Sequence, residues 1–328
     1  MFIVCGEALY DLIPSDLAGG DEAQTNALGF KAIIGGSPFN VAVGLARLGV
    51  KAALFTGISK DSLGTKLFNH LIDEGVGSQY LIHSDYKTTL ALIDFHNGQP
   101  KYHFYGQNGA EKMIGINDLP KLDSAVKGLH FGSYSMVTAP SGDSYLEFAK
   151  RNRDRFISLD PNIRTSVEPD MQLWRDRISE FLPYVNLLKI SREDIDLCYD
   201  GMPSKKLAEQ FIEKGVQLVI ITGGEDAVGC YSNNRLIFDY RPKPVNCVDT
   251  IGAGDSFQAA LLAQLLEHTD PCNMLKNLNQ GALYNLADRA SKAAAITCAR
   301  AGANLPTLSE WQEYLDAQAA IEAAKNKS

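Results

Sequence analysis

The sequence predicts an α/β fold: a doubly wound, mainly parallel sheet with helices on both faces, and a small β-sheet lid beside it. Three observations carry that prediction. Short apolar runs alternate with longer segments of helical period almost from end to end of the 328 residues. The runs lack the strict alternation of half-exposed strands, so they read as strands buried on both faces. One pair of β-prone runs instead flanks Asn97-Gly98, a strong hairpin signal.

Taken in order, strands are expected at Phe2–Cys5, Ala52–Phe55, Leu129–Phe131, Phe156–Leu159, Leu187–Ile190 and Leu218–Ile221. Helices are expected at Pro38–Leu48, Ser62–Glu74, Ser144–Asn152, Ser204–Lys214, Asp255–Glu267 and about Gly281–Thr297, with a final surface helix in Leu308–Ser328. Ser37 suits the N-cap of the first helix, Pro38 its first helical position and Gly49 its C′ stop. Thr89–Asp94 and Lys101–Tyr105 form the hairpin, and Asp11–Ile34 shows no convincing helix. No repeat or long linker breaks the pattern. Residues 1–328 therefore read as one domain, with a lid built from segments 11–34 and 89–110.

Composition narrows the function. Hydrophobic residues make up 45% and charged residues 21%, which excludes collagen-like and mainly disordered chains. The net charge of −8 offers no footprint for duplex nucleic acid or an anionic membrane. Six cysteines without a Cys-x-x-Cys pair read as reduced thiols, and the histidines show no metal-ligand spacing. The start lacks the pattern of a signal peptide, and no run approaches the ~18 apolar residues of a membrane span. A soluble, cytoplasmic protein is expected.

Two motifs can carry chemistry. In Asp249-Thr250-Ile251-Gly252-Ala253-Gly254-Asp255-Ser256-Phe257, two glycines make a turn directly before an alanine-rich helix. Unpaired N–H groups and the helix dipole there suit a phosphate. Asp255, in the first helical turn, is placed to take a proton from a hydroxyl attacking that phosphate. Without a function it would be a helix-capping acid worth about 1 kcal/mol. In Gly35-Gly36-Ser37-Pro38-Phe39-Asn40, the adjacent glycines allow close approach of a ligand and Asn40 offers donors and acceptors to hydroxyls. The bland alternative is an ordinary helix packed on a sheet.

Together these motifs resemble the two signatures of the ribokinase-like (PfkB) carbohydrate kinases, and the pieces between them fall in family order. Gly6-Glu7-Ala8-Leu9-Tyr10-Asp11, Ser158-Leu159-Asp160-Pro161-Asn162-Ile163-Arg164 and Gly302-Ala303-Asn304-Leu305-Pro306-Thr307 look most like fructokinases. The resemblance implies an ATP-dependent kinase for a primary hydroxyl, with fructose giving fructose 6-phosphate as the leading reaction. In it Asp255 matches the catalytic base, and the backbone of Gly252, Ala253 and Gly254 matches the anion hole. Asp11, Gly35, Gly36 and Asn40 match positions that bind sugar hydroxyls, although Asp11 alone would read as a turn former. Arg164 is a fixed positive charge suited to phosphate or a substrate oxygen, with a structural ion pair as the alternative.

The nucleotide side follows the same comparison. Lys189-Ile190-Ser191-Arg192-Glu193-Asp194 follows a strand where the family shows an Asn and then a Glu tied to Mg²⁺ through water. Here Ser191 replaces the Asn, and Asp194 takes the acidic position with Glu193 as competitor. The alternative is a solvated acidic helix start. Lys189, Thr222 and Gly224 match nucleotide-binding positions, whereas a plain strand-to-turn exit explains Glu225 and Asp226 as well. Family members often need a monovalent cation such as K⁺, and Asp249 and Ile251 match two of its carbonyl donors.

Related kinases commonly carry Arg where this chain has Gly106, and its loss argues for a neutral sugar over a sugar acid. Rival readings are a kinase for 2-keto-3-deoxygluconate, ribose or a nucleoside, and a non-catalytic sugar-binding regulator. Two familiar nucleotide motifs are missing. No Gly-x-Gly-x-x-Gly follows the first strand and no Walker-type loop exists, which disfavours a nicotinamide enzyme and a P-loop lysine. A homodimer through the lid is expected, because open β-edges often pair between subunits.

Overall fold

The computed structural model describes residues 1–15, 28–96, 99–224, 226–233 and 237–325. Its strands are β1 (Phe2–Cys5), β2 (Leu9–Pro14), β3 (Phe30–Gly35), β4 (Ala52–Ser59), β5 (Leu81–Ser84), β6 (Leu90–His96), β7 (Gln99–Tyr105), β8 (Gly128–Gly132), β9 (Phe156–Asp160), β10 (Leu187–Ser191), β11 (Leu218–Thr222), β12 (Val228–Ser232) and β13 (Ile237–Tyr240). Its helices are α1 (Ser37–Arg47), α2 (Ser62–Asp73), α3 (Ser141–Arg151), α4 (Met171–Phe181), α5 (Arg192–Cys198), α6 (Ser204–Glu213), α7 (Ala253–Leu266), α8 (Pro271–Lys276), α9 (Gln280–Cys298) and α10 (Leu308–Lys325).

Nine strands form one sheet in the order β13-β12-β11-β10-β9-β8-β1-β4-β5. All neighbours are parallel except the β11–β12 and β12–β13 pairs at one edge. Both faces are covered, as the unalternated runs require. On β1, Phe2 and Val4 pack into one core and Ile3 and Cys5 into the other. The first core takes Val41 and Leu45 of α1, Leu261 and Leu265 of α7 and Leu283 of α9. The second takes Phe148 of α3, Trp174 and Ile178 of α4 and Phe211 of α6.

A second sheet runs β3-β2-β6-β7. β2 is antiparallel to β3 and parallel to β6, and β6 pairs with β7 from Leu90 opposite Tyr105 to His96 opposite Gln99. The hairpin is therefore present, while its turn residues 97–98 lie outside the described residues. So does part of the segment 11–34.

Two expectations need correcting. Ser37 is not the N-cap of α1; Gly36 is, at φ 108°, with Ser37 as first helical residue. Nor is α10 simply a surface helix. Trp311 is buried in the first core, with its indole N–H on the Arg289 carbonyl at 3.0 Å. Helix α4 was not anticipated, because charged residues outnumber the apolar stripe of Trp174, Ile178 and Phe181 that buries it.

Candidate active site

Strands β1, β8, β9, β10 and β11 run the same way, so their carboxyl ends share one edge of the sheet. Crevices outside such ends are where open α/β sheets bind ligands. The chain leaving β1 leads to Glu7, that leaving β9 to Arg164, and that leaving β10 to Asp194. Helices α1 and α7 close the same edge from one face.

Asp255 occupies the third position of α7 and is 7% exposed. Its Oδ1 accepts the Ser37 hydroxyl at 2.7 Å and its Oδ2 the Asn40 amide at 2.8 Å. Burial raises its pKa above the usual carboxylate range, while those two hydrogen bonds and the charges of Lys189 and Arg164 pull it back. Each oxygen keeps a lone pair for a further proton. A carboxylate so held can accept a proton from a hydroxyl brought beside it.

The turn before it is built for close approach. Gly252 caps α7 in the left-handed conformation, φ 77°, and a Cβ there would stand 2.7 Å from that of Ala303. The Ala253 N–H closes a turn on the Thr250 carbonyl at 3.2 Å. Those of Gly252 and Gly254 meet no acceptor among the described residues. The open donors are therefore the two glycines, with Ala253 spent on the turn. Asp249 anchors the loop, accepting from Ile251 N at 3.0 Å and from Gly302 N at 2.8 Å. The carbonyls of Asp249 and Ile251 accept no backbone hydrogen bond among the described residues, which suits a monovalent cation's oxygen donors.

Across the cleft, Asp11 of β2 lies over Gly35, where a Cβ would come within 2.3 Å of its Oδ2. Gly36 is equally tight: a Cβ there would stand 2.6 Å from the Glu7 carbonyl. Burial pushes the Asp11 carboxyl up to about 6, with Arg164 lowering it and Asp255 raising it. Arg164 donates to the carbonyls of Ile163 at 3.1 Å and Asn162 at 3.4 Å and pairs with no carboxylate among the described residues. The structural ion pair is not what holds it. Its charge acts on Asp11, Asp255 and Glu7.

The residues matched to the nucleotide are less uniform. Asp194 is not a solvated helix start. It is 5% exposed, takes Ile163 N on Oδ1 at 2.9 Å and Ser191 N on Oδ2 at 3.4 Å, and forms a capping box with Ser191. Glu193 is exposed. With no group of three or more metal-ligating side chains among the described residues, this donor set fits a hydrated Mg²⁺ carried by a nucleotide better than a metal held by protein alone. Thr222 ends β11 opposite Ser191, and Gly224 sits exposed at φ 64°. Glu225 lies outside the described residues. Lys189 is buried and forms an ion pair with Asp160 at 2.8 Å.

Sequence reading missed three participants. Ser37 looked like a cap and instead holds Asp255. Glu7 is 1% exposed, accepts the Ser135 hydroxyl at 2.5 Å, and is pushed up to about 6 by burial. Asp160 stood in a quoted motif without a role. The signal available for each was a polar residue touching an apolar run.

Gly106 is enclosed as well as small. Its φ is 130°, and a Cβ would stand 2.6 Å from the Thr89 hydroxyl. No arginine fits there without moving Thr89, just before β6.

A doubly wound sheet, a four-stranded cover and a glycine-opened helix beside a buried carboxylate define a sugar kinase of ribokinase-like fold. More particularly, the chain belongs to the pfkB family of carbohydrate kinases, whose family model matches residues 1–310. It is 34% identical over 287 residues to a fructokinase of Rhizobium leguminosarum bv. trifolii, covering 87% of this chain and 86% of that protein. The fold is similar to that of a fructokinase with bound ATP from Xylella fastidiosa, with a TM-score of 0.86, 22% identity and coverage of 97% and 98%. It is also similar to aminoimidazole riboside kinase from Salmonella enterica, with a TM-score of 0.80, 22% identity and coverage of 96% and 98%. The chain is thus a fructokinase-like carbohydrate kinase. No helix among the described residues is long and apolar enough to cross a membrane.

Proposed function

We propose that the protein transfers the terminal phosphoryl group of ATP to the primary hydroxyl of D-fructose, giving fructose 6-phosphate and ADP. The observation that carries this reading is the buried Asp255 carboxylate, oriented by Ser37 and Asn40 at the glycine-opened N-terminus of α7. The sugar lies between the small sheet and the large one. Asp11 and Asn40 accept and donate to its hydroxyls, and Gly35 and Gly36 keep the floor clear. Asp255 takes the hydroxyl proton as the oxygen–phosphorus bond forms and the bond to the ADP oxygen breaks. The N–H groups of Gly252 and Gly254, together with the dipole of α7, stabilise charge on the transferring group.

Asp194 or Glu193 would hold the waters of an Mg²⁺ bound with ATP, which would supply charge neutralisation on the phosphates. The carbonyls of Asp249 and Ile251 would hold a K⁺ beside the loop, supplying positive charge next to the anion site. Thr222 and Gly224 line the nucleotide side. The small sheet acts as a lid that excludes water, which would otherwise accept the phosphoryl group. A neutral acceptor is supported by the closed position at Gly106, which holds no arginine of its own for a sugar carboxylate. The lid edges β3 and β7 pair two subunits into a homodimer. An ATP-consuming reaction and free thiols suit the cytoplasm.

The deciding experiment is a radiolabelled-phosphate transfer screen over D-fructose, ribose, 2-keto-3-deoxygluconate and nucleosides. Fructose is expected to give the highest kcat/KM. A higher value for another acceptor replaces the substrate, and sugar binding with no ATP turnover makes the protein a regulator.

A further inference from the structure

A single turn seated on the large sheet grips both feet of the β6–β7 hairpin. Thr89 stands immediately before β6 and Gly106 immediately after β7. The Thr89 hydroxyl donates to Glu111 Oε1 at 2.6 Å, and Lys112 Nζ donates to the Gly106 carbonyl at 2.8 Å. Glu111 and Lys112 are neighbours in the short 3₁₀ turn Ala110–Lys112. That turn is fixed from its other side as well. A Cβ on Gly57 of β4 would overlap the Ala110 carbonyl, and the Tyr134 hydroxyl, just beyond β8, donates to the same Glu111 Oε1 at 3.1 Å.

The cluster is shut off from water: Thr89 is fully buried, and Glu111 and Tyr134 are each 1% exposed. Burial raises the Glu111 pKa, while the Thr89 hydroxyl, the Lys112 charge and the Tyr134 hydroxyl oppose that rise. A buried charge pair adds little stability over apolar side chains of similar volume. What it adds here is direction. Two hydroxyls, one at the foot of the hairpin and one on the large-sheet side, converge on one oxygen, so the start of β6 is held in one place. The backbone carries this into the cleft. The Thr89 carbonyl accepts the Tyr10 N–H at 3.1 Å, where β2 begins its parallel pairing with β6. The next residue of β2 is Asp11, opposite Ala91.

We propose, resting on the functional reading above, that Glu111 and Thr89 are positioning residues for the acceptor sugar. Their hydrogen bond sets β6, β6 sets β2, and β2 sets the Asp11 carboxylate on the sugar hydroxyls. The pair thereby governs acceptor affinity and leaves the nucleotide side, built on β10 and β11, unaffected.

The test compares Thr89→Val, which replaces the hydroxyl by a methyl group, with Thr89→Ser, which keeps it. The double variant Thr89→Val/Glu111→Gln removes the buried carboxylate charge together with its donor, and serves where Thr89→Val alone does not fold. KM is measured for the best acceptor and for ATP, and amide hydrogen exchange is followed by mass spectrometry. Thr89→Val is expected to raise the acceptor KM about tenfold, with the ATP KM within about twofold of the parent. Peptides spanning β2 should exchange about tenfold faster, and those spanning β8 should be unchanged. Thr89→Ser should restore both. An acceptor KM within about twofold of the parent in folded Thr89→Val, or in the double variant, overturns the proposal. So does Thr89→Ser behaving like Thr89→Val, or a matching rise in both KM values, the marks of a packing role. A parent protein that phosphorylates no acceptor would instead defeat the functional reading, and the exchange comparison would still decide whether Thr89 sets β2.

Discussion

Asn40 donates its side-chain amide to the Asp255 carboxylate across 2.8 Å, although 215 residues separate them in the chain. With the Ser37 hydroxyl on the other carboxylate oxygen, this hydrogen bond joins the two signature helices α1 and α7 at the point where chemistry is proposed. The contact makes Asp255 a group whose orientation is set before any ligand arrives.

Removing the acid should abolish turnover and spare binding. For Asp255→Asn, kcat is expected to drop by roughly 10³–10⁴, with sugar and ATP affinity retained, in a steady-state assay paired with calorimetry. Near-normal turnover would remove Asp255 from the reaction.

Ser37→Ala tests orientation. The Ser37 hydrogen bond stabilises the ionised form of Asp255, so its loss raises that pKa further. The acidic limb of the kcat profile should move to higher pH, and kcat at neutral pH should fall about tenfold, the cost of one such bond. An unmoved acidic limb would mean that the limb reports another group.

Glu7 offers a stability test with a defined sign. Its folded pKa is about 6 against an ordinary 4.5. Between these values the folded state keeps a proton the unfolded state releases, so stability falls as pH rises through that window. At neutral pH the burden is about 2 kcal/mol. Glu7→Gln should therefore raise Tm at pH 7.5 and give no gain below about pH 4.5. Thermal melts at both pH values check it, and a destabilised variant at pH 7.5 contradicts it.

Gly106→Arg should not convert the enzyme to a sugar-acid kinase. The backbone at φ 130° and the Thr89 hydroxyl oppose any side chain, at a cost of about 1–3 kcal/mol. A lower Tm and no new activity on 2-keto-3-deoxygluconate are expected. Gain of that activity would show that β6 yields.

Arg47 binds Glu74 through two nitrogens at 2.6 and 2.7 Å and also reaches the Leu305 carbonyl at 2.7 Å. The ion pair is about four-fifths buried, with side-chain exposures of 22% and 17%. Arg47→Met is expected to cost about 2–3 kcal/mol in urea unfolding, since it leaves Glu74 with only His70, 3.7 Å away, in place of a two-nitrogen partner. A loss under ~0.5 kcal/mol would class the pair with exposed ones.

Six strands of the large sheet, from Phe2–Cys5 to Leu218–Ile221, were legible because they are mainly apolar runs that a two-sided core explains. Strands β5, β12 and β13 were not, since Leu81–Ser84, Val228–Ser232 and Ile237–Tyr240 are short and mixed with polar residues. Asp255 and the Gly252 turn were legible because special backbone and charge fall together at a helix start. The small sheet was read only in outline, since Leu9–Pro14 and Phe30–Gly35 pair with strands far away in sequence. The partners of Asp255, the burial of Asp194 and the Lys189–Asp160 pair were not legible. Each depends on which polar side chain faces inward where several could, and local spacing carries no record of that choice.

The bridge from Asp249 to Gly302, with Gly252 pressed on Ala303, has a consequence for biosynthesis. All nine strands of the large sheet are encoded before residue 241, yet the Gly252 loop, proposed above to meet the triphosphate, lacks its backing until Cys298–Leu305 has left the ribosome. A nascent chain stalled at residue 290 should already be collapsed around its strands and still be unable to seat a nucleotide. Assembly of the scaffold and acquisition of activity are thereby separated in time along one polypeptide.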